Sequence, residues 1–464
     1  MTSPPLRERL HQEQSKALEA PDLIRTRFSN ALSQMYREEV PQYGTLLELV
    51  ADINAAAVRR DPSLLAHGPT STRLDVERHG AIRLGTPYEL STIRRIFAVM
   101  GMHPVGYYDL SVAGVPVHST AFRPVDGDSL SANPFRVFTS LLRLELIRDQ
   151  VLKELAAEIL RKRSIFTARA LELTHHAEVV GGLTKAETEE FVGEVLQTFR
   201  WHDEATVSRD TYERLRSAHR LIADVVCFKG PHINHLTPRT LDIDTAQAEM
   251  PLRGIAPKES IEGPPARNVP ILLRQTSFKA LEEPVRFALS HAEGTHTARF
   301  GEIEQRGLAL THKGRALYDT LLQLARSEQG GDAPRYEDRL AEAFKAFPDT
   351  LDALRRERLG FFRYALLRQT ALPAGSDFDI DDLVDQGIVS ATPITYEDFL
   401  PVSAAGIFQS NLGDAEPKTA CAEGAQAEFE QALGAPVLDA IALYQAEQDA
   451  SIAEVIRDIN RLAP

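Results

Sequence analysis

Two pairs of residues with metal-binding or anion-binding side chains lie in short stretches that otherwise look like β-strands. His79 and Arg83 lie in ERHGAIRLG, and His232 and His235 lie later in GPHINHLTPR. Alternate residues of a strand share a face, so His79, Ala81 and Arg83 point the same way, with His79 and Arg83 about 13 Å apart at Cα. His232 and His235 would lie on opposite faces of a regular strand, so at most one faces a shared site.

A source of carboxylate ligands follows in ARFGEIEQRG, where Glu302 and Glu304 share a strand face and Arg306 ends it. One of these carboxylates could meet histidines from two other strands. Two histidines and one carboxylate, with no cysteine, form the ligand set suited to non-haem Fe(II), which leaves coordination positions for substrate and oxygen. The pattern predicts an iron site without deciding which histidine of the second pair, or which glutamate, takes part.

The same residue types have simpler explanations that the sequence leaves open. The chain has 14 histidines, and histidines are commonly surface groups or hydrogen-bonded core residues. Glu302 and Glu304 could form a solvated strand face, and Arg83 could pair with an acidic side chain in a salt bridge. The metal site is therefore one hypothesis among several at this point.

Composition limits the classes of protein and partner. A chain of 464 residues, 43% hydrophobic and 25% charged, is typical of a soluble globular protein with two or three modules. The net charge of −14 works against nonspecific binding of nucleic acid or anionic lipid. With only Cys227 and Cys421, neither a disulfide scaffold nor a cysteine-based metal site is expected. No signal peptide or run of about 18 apolar residues is visible, so we expect a cytoplasmic protein.

The strand that carries His79 is predicted to lie between helices. The stretches PDLIRTRFSNALSQMYREEV and YGTLLELVADINAAAVRR have apolar residues at helical spacing and come before it. After it, TPYELSTIRRIFAVMGM begins with Thr86 as an N-cap candidate, Pro87 at the first helical position and Glu89 as the partner in a capping box. Three apolar or alternating runs follow and predict strands, which gives the order β-α-β-β-β.

A second unit of similar order is predicted after a helical insert. It consists of PHINHLTPR as a strand, LDIDTAQAEMPLRG as a helix, VPILLRQTSFKAL and EPVRFALS as extended segments, and THTARFGEIEQRGLAL as one long strand. Two such β-α-β-β-β modules can pair their concave sheets around one enclosed site. The repeat predicts an α+β fold with a half-barrel site lined from both halves.

We expect four segments along the chain. Residues 1–147 hold the N-terminal helices and the first module, 148–227 the helical insert, and 228–312 the second module. Residues 313–464 form a helical C-terminal region with a loop at 398–413.

Six blocks of the sequence resemble one bacterial family, and several blocks exceed ten residues. They are ERHGAIR, VGYYDLSVAGVPVHSTAFRPV, FKGPHINHLTPRTLDID, ILLRQTSFKAL, ARFGEIEQRGLALT and YEDFLPVSAAGIFQSNLGD. They are similar to the 2-oxoadipate dioxygenase/decarboxylases, also called 2-hydroxyglutarate synthases, of the vicinal oxygen chelate superfamily. The resemblance spans nearly the whole chain, and the paired modules of that superfamily agree with the repeat described above.

The resemblance also implies roles for particular residues. The implied metal ligands of the Fe(II) cofactor are His79, His235 and Glu302. The implied substrate contacts are Arg83, Val402 and Ser403. The choice of Glu302 over Glu304 depends on strand register. Arg83 offers a planar fork for a carboxylate, while the small residues around Ser403 would let backbone amides and a hydroxyl approach an anion.

The implied reaction belongs to lysine catabolism and uses O2. A 2-oxo acid can chelate Fe(II) through its C1 carboxylate and keto oxygen. The family resemblance implies oxidative loss of C1 from 2-oxoadipate as CO2 and hydroxylation of the adjacent carbon, which gives 2-hydroxyglutarate. Because substrate and cosubstrate are one molecule, the site needs a group that holds the far carboxylate, and Arg83 is the candidate.

Two other functions fit the same residues. A glyoxalase-like isomerase or lyase would use a divalent metal only as a Lewis acid on a small oxo acid, and it would consume no oxygen. A noncatalytic protein that sequesters a dicarboxylate would release no CO2. The sequence makes no prediction of the oligomeric state.

Overall fold

The computed structural model describes most of the chain. The described residues are 17–66, 70–278, 281–288, 293–297, 299–327, 335–368, 379–400 and 422–462. Val402, Ser403, Cys421 and most of the predicted loop at 398–413 lie outside these ranges.

Among the described residues, four helices precede the first sheet. They are α1 (Pro21–Glu39), α2 (Pro41–Arg60), α3 (Ser63–Ala66) and α4 (Ser71–Val76). In α1, Ile24, Phe28 and Leu32 are four residues apart and all buried, as expected for one apolar face of a helix. Both long helices start with a proline at the first helical position, where no backbone hydrogen bond is lost. The two predicted N-terminal helices are confirmed.

The first module has the predicted β-α-β-β-β order, with one additional short helix before its last strand. It comprises β1 (Arg78–Leu84), α5 (Pro87–Val99), β2 (His103–Asp109), β3 (Val117–Arg123), a short helix α6 (Gly127–Ala132) and β4 (Arg136–Leu142). These four strands and a fifth from later in the chain, β5 (Leu236–Pro238), form a sheet with the order β2-β3-β4-β1-β5, in which β1 is parallel to β4.

The start of α5 explains how β1 is held at its end. The Thr86 hydroxyl accepts a hydrogen bond from Glu89 N at 3.2 Å, so the predicted N-cap is confirmed. The Glu89 carboxylate accepts from Gly85 N at 2.7 Å, one residue before the N-cap. It also pairs with Arg163 of the insert. In a complete capping box, the Glu89 carboxylate would accept from the backbone N–H of Thr86. Here it accepts from Gly85 N and pairs with Arg163 instead, so only one of the two predicted capping-box hydrogen bonds is present.

The two faces of the first sheet contact different cores. Ala81 and Phe138 pack into the core shared with the insert and the C-terminal region, whereas Ile82 and Val137 pack into the core formed with α1, α2 and α5. This alternation follows from the strand period of two. His79 is buried and belongs to the Ala81 face, so the side chains predicted to do chemistry point away from the helices α1, α2 and α5.

The insert is helical, as predicted. Its helices are α7 (Gln150–Lys162), α8 (Ala168–Val180), α9 (Lys185–Leu196), α10 (Arg209–Ala218) and α11 (Arg220–Val226). Trp201, between α9 and α10, packs against Phe228 with ring centroids 5.2 Å apart.

The second half of the sheet structure is less regular than the first. It contains β5 (Leu236–Pro238), α12 (Ile243–Glu249), β6 (Leu273–Ser277), β7 (Glu282–Arg286), β8 (Glu293–Thr297) and β9 (Glu302–Arg306). Strand β9 pairs with β6, and β8 pairs with β7. The prediction of one long strand through β8 and β9 is therefore wrong.

The chain leaves the β7–β8 ladder just before β9. Phe300 N donates to the carbonyl of Asn234, and Phe278 N donates to the carbonyl of Gly301. A Cβ at Gly301 would lie 1.9 Å from Cε1 of the buried Phe278 ring, so only glycine fits this close approach. The break at Gly301 sets the start of β9, and with it the position of Glu302.

Strand β5 joins the two halves. It pairs antiparallel with β1, with His79 opposite Thr237. Just after β5, Thr240 N donates to the carbonyl of Glu304 at 2.7 Å, which connects the segment to β9. The strands β1, β5 and β9 therefore run side by side, and their side chains can meet in one place.

The C-terminal region is mostly helical, which supports the predicted α+β class. It contains α13 (His312–Ser327), α14 (Tyr336–Ala343), α15 (Leu351–Arg356), β10 (Phe362–Leu366), α16 (Ile380–Asp385), β11 (Val389–Pro393), α17 (Ala422–Leu433) and α18 (Ala440–Leu462). Strands β10 and β11 form an antiparallel pair. In the described part of the chain, no helix combines the length and apolar composition that crossing a membrane requires.

We expect Gly301→Ala to lower the free energy of unfolding by about 1–3 kcal/mol, because the added methyl group would overpack against Phe278. Gly193 in α9 is the matched control, since a Cβ there meets nothing within 4 Å. Gly193→Ala should instead stabilise the protein by about 0.5–1 kcal/mol. Urea denaturation followed by circular dichroism measures both. A Gly301→Ala protein as stable as wild type would contradict the steric explanation.

Candidate active site

His79, His235 and Glu302 form a buried cluster with the geometry of a metal site. Each offers one possible ligand atom, and the three atoms lie within 4.8 Å of one another. His79 Nε2 is 3.0 Å from Glu302 Oε1, and His235 Nε2 is 3.9 Å from the same oxygen. The two imidazole rings are nearly perpendicular, with centroids 5.4 Å apart. The structure thus brings together the three residues that the family resemblance implied.

The irregular segment before β5 separates His235 from His232. His232 has a positive φ of 26°, so the backbone is not a regular strand at this point. Asn234 N donates to the carbonyl of Ala81 at 2.9 Å, which ties the segment to β1. His232 Nε2 lies 3.4 Å from Asp224, away from the cluster. The two histidines do diverge, but the cause is a turn in the backbone and not the alternation of a strand.

Two neutral side chains hold the Glu302 carboxylate. Thr237 Oγ1 donates to Glu302 Oε1 at 3.1 Å, and Gln275 Nε2 donates to the same oxygen at 2.7 Å. Thr237 comes from β5 and Gln275 from β6, the strands on either side of this position. Both donors fix the carboxylate beside His79 without neutralising its charge, so Glu302 remains able to bind a cation.

Glu304 contacts the other nitrogen of the same histidine. Its Oε2 lies 2.9 Å from His79 Nδ1, and Arg306 pairs with it through Nε at 2.9 Å and Nη2 at 2.8 Å. A carboxylate on Nδ1 orients an imidazole and leaves Nε2 for a metal ion. This arrangement favours Glu302 as the ligand and Glu304 as the residue that orients His79.

Burial and neighbouring charges act differently on the two histidines. Burial lowers the pKa of His235 to about 4, so its imidazole is neutral and has a lone pair to donate. Burial also acts to lower the pKa of His79, but Glu304 and Glu302 outweigh it and raise this pKa above the ordinary value. A cation bound at Nε2 would take the place of that proton, since ligands bind metals in the deprotonated form.

Aromatic rings wall the cluster. Phe399 packs edge-on against His79 at 5.0 Å between centroids, and Phe300 packs against His235 at 4.7 Å. Phe399 also contacts Phe138 of β4 at 5.3 Å. These rings keep water away from both imidazoles, which strengthens electrostatic interactions within the site.

A buried ionic network lies behind Glu304. Arg136 Nη1 is 3.9 Å from Glu304, and Arg136 Nη2 donates to Glu77 at 3.0 Å and contacts Glu397. Burial lowers the pKa of Arg136 to about 9, which still leaves it charged at neutral pH. Arg306 connects the network to the segment before Leu400 through its hydrogen bonds to backbone carbonyls there.

Arg83 makes a salt bridge with Asp224 of α11. Its Nη1 donates to Asp224 Oδ2 at 2.7 Å, and its side chain is 16% exposed. The ion-pair explanation of this arginine is therefore observed, and its role toward a substrate stays a prediction. The other two predicted substrate contacts, Val402 and Ser403, lie outside the described residues.

Sequence reasoning missed several residues around the cluster. The only sequence signal for Thr237 and Gln275 was a polar side chain within a strand-like run. The structure shows that both side chains are buried. Asp224 lies in an apolar helix, RLIADVV, where a single buried acidic residue was the available signal.

Comparison with known proteins identifies the family. The family model described as 2-oxoadipate dioxygenase/decarboxylase matches residues 28–411. The chain belongs to this family. The 2-oxoadipate dioxygenase/decarboxylase of Escherichia coli (strain K12) is 58% identical over 439 residues, which are 93% of this chain and 97% of the relative. A less similar family member from Mycobacterium bovis is 39% identical over 399 residues, covering 84% of this chain and 87% of the relative.

A solved structure of a 2-oxoadipate-binding family member supports the fold. The crystal structure of the hydroxyglutarate synthase from Pseudomonas putida in complex with 2-oxoadipate is 55% identical, with a TM-score of 0.88. The match covers 96% of this chain and 99% of that chain. The 2-oxoadipate dioxygenase/decarboxylase family predicted from the sequence blocks is thus confirmed, as is the α+β class.

We predict that His79→Ala, His235→Ala and Glu302→Ala each abolish metal binding and activity, because each removes one of the three residues that could together hold a metal ion. His232→Ala should keep its metal, since this histidine contacts Asp224 instead. Metal content after anaerobic reconstitution, measured by mass spectrometry, tests the four variants, and melting curves check that each is folded. Metal retained by Glu302→Ala but lost by Glu304→Ala would reverse the assignment of the two glutamates.

Proposed function

We propose that this protein is an Fe(II)-dependent 2-oxoadipate dioxygenase/decarboxylase of the cytoplasm that acts in lysine catabolism. It converts 2-oxoadipate and O2 to 2-hydroxyglutarate and CO2. The observation that carries the proposal is the buried cluster of His79, His235 and Glu302. The 55% identity to a hydroxyglutarate synthase crystallised with 2-oxoadipate supports the choice of substrate.

The residues present fit iron as the metal. Two imidazoles and one carboxylate without a thiolate match the donor set of non-haem Fe(II) oxygenases. When bound, Fe(II) would supply chelation of the 2-oxo acid and reaction with O2. Glu304 would hold the proton on His79 Nδ1, which fixes the tautomer that presents Nε2 to the metal. Thr237 and Gln275 would keep the Glu302 carboxylate in place.

The overall reaction balances without a second oxo acid. The bond between C1 and C2 of 2-oxoadipate breaks, and C1 leaves as CO2. One oxygen atom of O2 joins the former keto carbon, which becomes a carboxylate, and the other becomes the hydroxyl group on the adjacent carbon. One O2 is therefore consumed for each CO2 released. Two of the four electrons that reduce O2 come from the broken C1–C2 bond, and two come from the carbon that is hydroxylated.

Arg83 would bind the carboxylate that is remote from the metal. It lies on the same face of β1 as His79, about 13 Å away along the strand at Cα, and its side chain shortens that distance. A guanidinium offers a planar bidentate contact to a carboxylate. Phe399 and Phe300 would exclude water from the metal-binding end of the site. One end of a six-carbon diacid would therefore lie at the metal between aromatic rings, and the other end would lie at the Arg83 guanidinium.

We predict that the Fe(II)-loaded protein consumes 2-oxoadipate and O2 and releases CO2 in equal amounts, with no added 2-oxoglutarate. An oxygen electrode, CO2 trapping and product analysis by mass spectrometry measure the three quantities. Zn(II)-loaded protein should be inactive, because zinc has no redox chemistry. Equal turnover with zinc and no oxygen uptake would favour a Lewis-acid isomerase or lyase, and tight binding without turnover would favour a binding protein.

We predict that Arg83→Ala keeps its iron but loses roughly 30-fold or more in kcat/KM for 2-oxoadipate, since an unpaired anion in a closed site costs about 2 to 5 kcal/mol. Its preference for 2-oxoadipate over 2-oxohexanoate should fall. Arg83→Lys should recover only part, because an ammonium group lacks the fork. If Arg83→Ala prefers the diacid as strongly as wild type, another residue binds the far carboxylate, with Ser403 as the first candidate.

A further inference from the structure

Asp224 connects Arg83 to the helical insert. Its Oδ2 accepts the hydrogen bond from Arg83 Nη1 at 2.7 Å, and its Oδ1 accepts from His296 Nε2 at 2.9 Å. His232 Nε2 lies 3.4 Å from Oδ1. On the far side, the Tyr212 hydroxyl lies 2.8 Å from His296 Nδ1. A carboxylate only accepts hydrogen bonds, so His296 Nε2 carries a proton and donates it to Asp224.

Packing fixes this carboxylate in place. His296 is buried and stacks on Trp201, with ring planes 4° apart and centroids at 6.1 Å. Phe228 packs against the same imidazole at 4.7 Å. Burial acts to raise the pKa of Asp224, but His232, Arg83 and His296 outweigh it and hold the pKa below its ordinary value. Arg83 is thus paired with an ionised, immobile carboxylate.

The salt bridge leaves one edge of the Arg83 guanidinium for another anion. Asp224 accepts from Nη1, and within the described part of the chain Nε and Nη2 of Arg83 donate no hydrogen bond. These two nitrogens form the edge that binds a carboxylate bidentately. Arginine loses conformational entropy when it binds an anion, and a fixed second contact reduces that loss.

We propose that Asp224 is a positioning residue that aims Arg83 and thereby sets the preference for a substrate with a second carboxylate. This inference rests on the role of Arg83 in the proposed function. The negative charge of Asp224 offsets the positive charge of Arg83, so Asp224 does not add to the attraction of a distant anion. Its contribution is to orient the Arg83 side chain. The effect therefore belongs to discrimination between diacids and monoacids, and it leaves the metal site unchanged.

Asp224→Asn tests the inference. A carboxamide has no negative charge and only one acceptor oxygen, so the charge-assisted contact with Arg83 becomes a neutral hydrogen bond or is lost. We expect the ratio of kcat/KM for 2-oxoadipate to kcat/KM for 2-oxohexanoate to fall about tenfold, mainly through KM for the diacid. Iron content and kcat/KM for 2-oxohexanoate should stay at wild-type levels.

A matched control and a double variant separate positioning from a general structural effect. Asp349→Asn changes a carboxylate that pairs with the buried Arg267 at 3.3 Å, outside the cluster, and should leave the ratio unchanged. In an Arg83→Ala background, adding Asp224→Asn should not lower the ratio further, because the two residues act as one unit. Equal losses with both substrates, or additive effects in the double variant, would overturn the inference.

The outcomes for Arg83 and Asp224 distinguish the two proposals. If Arg83→Ala retains the diacid preference, the proposed role of Arg83 fails. If Arg83→Ala loses the preference but Asp224→Asn keeps it, only the positioning role fails. Tyr212→Phe is the second variant if Asp224→Asn does not fold. Tyr212→Phe removes the hydroxyl group that contacts His296 Nδ1 and should lower the ratio about twofold to threefold. An unchanged ratio would contradict the proposal.

Discussion

The contact of His79 with two carboxylates of one strand is the interaction on which the site depends. Glu302 lies at Nε2 and Glu304 at Nδ1, at 3.0 and 2.9 Å. Two like charges this close are tolerated only where cations and donors compensate them. Strand β5 makes the contact possible, because it pairs with β1 through Thr237 and is followed directly by the hydrogen bond to β9. A shift of either register by one residue would move one partner to the opposite face of its strand.

The buried charges around Glu304 extend the same constraint into the C-terminal region. Arg306 binds Glu304 and also the carbonyls of Tyr396 and Asp398, which belong to the segment that carries Phe399. Phe399 in turn packs on His79. Removing one member of a buried ion pair leaves the other uncompensated and is strongly destabilising. The imidazole, its carboxylate and the segment that covers it are therefore held as one unit.

Strand β1 carries both His79 and Arg83. His79 faces the carboxylates of β9, and Arg83 reaches Asp224 of the insert. The insert therefore contributes contacts as well as core packing. Helix α11 provides Asp224, the acidic partner of Arg83, and α10 provides Tyr212, which contacts the His296 that binds Asp224. Separate segments of the chain therefore hold His79 and Arg83, and the strand between them sets their distance.

Local sequence determined the elements and the family. The strand around His79, the N-cap at Thr86 and the helices of the insert follow from alternation, capping and helical spacing, which act between near neighbours. The tertiary structure decided that His235 and not His232 faces the cluster, because a positive φ at His232 turns the backbone. It also broke the predicted long strand at Gly301, where the Phe278 ring leaves no room for a side chain. Contacts of this kind join residues far apart in the chain, so they depend on packing and register, which local patterns do not encode.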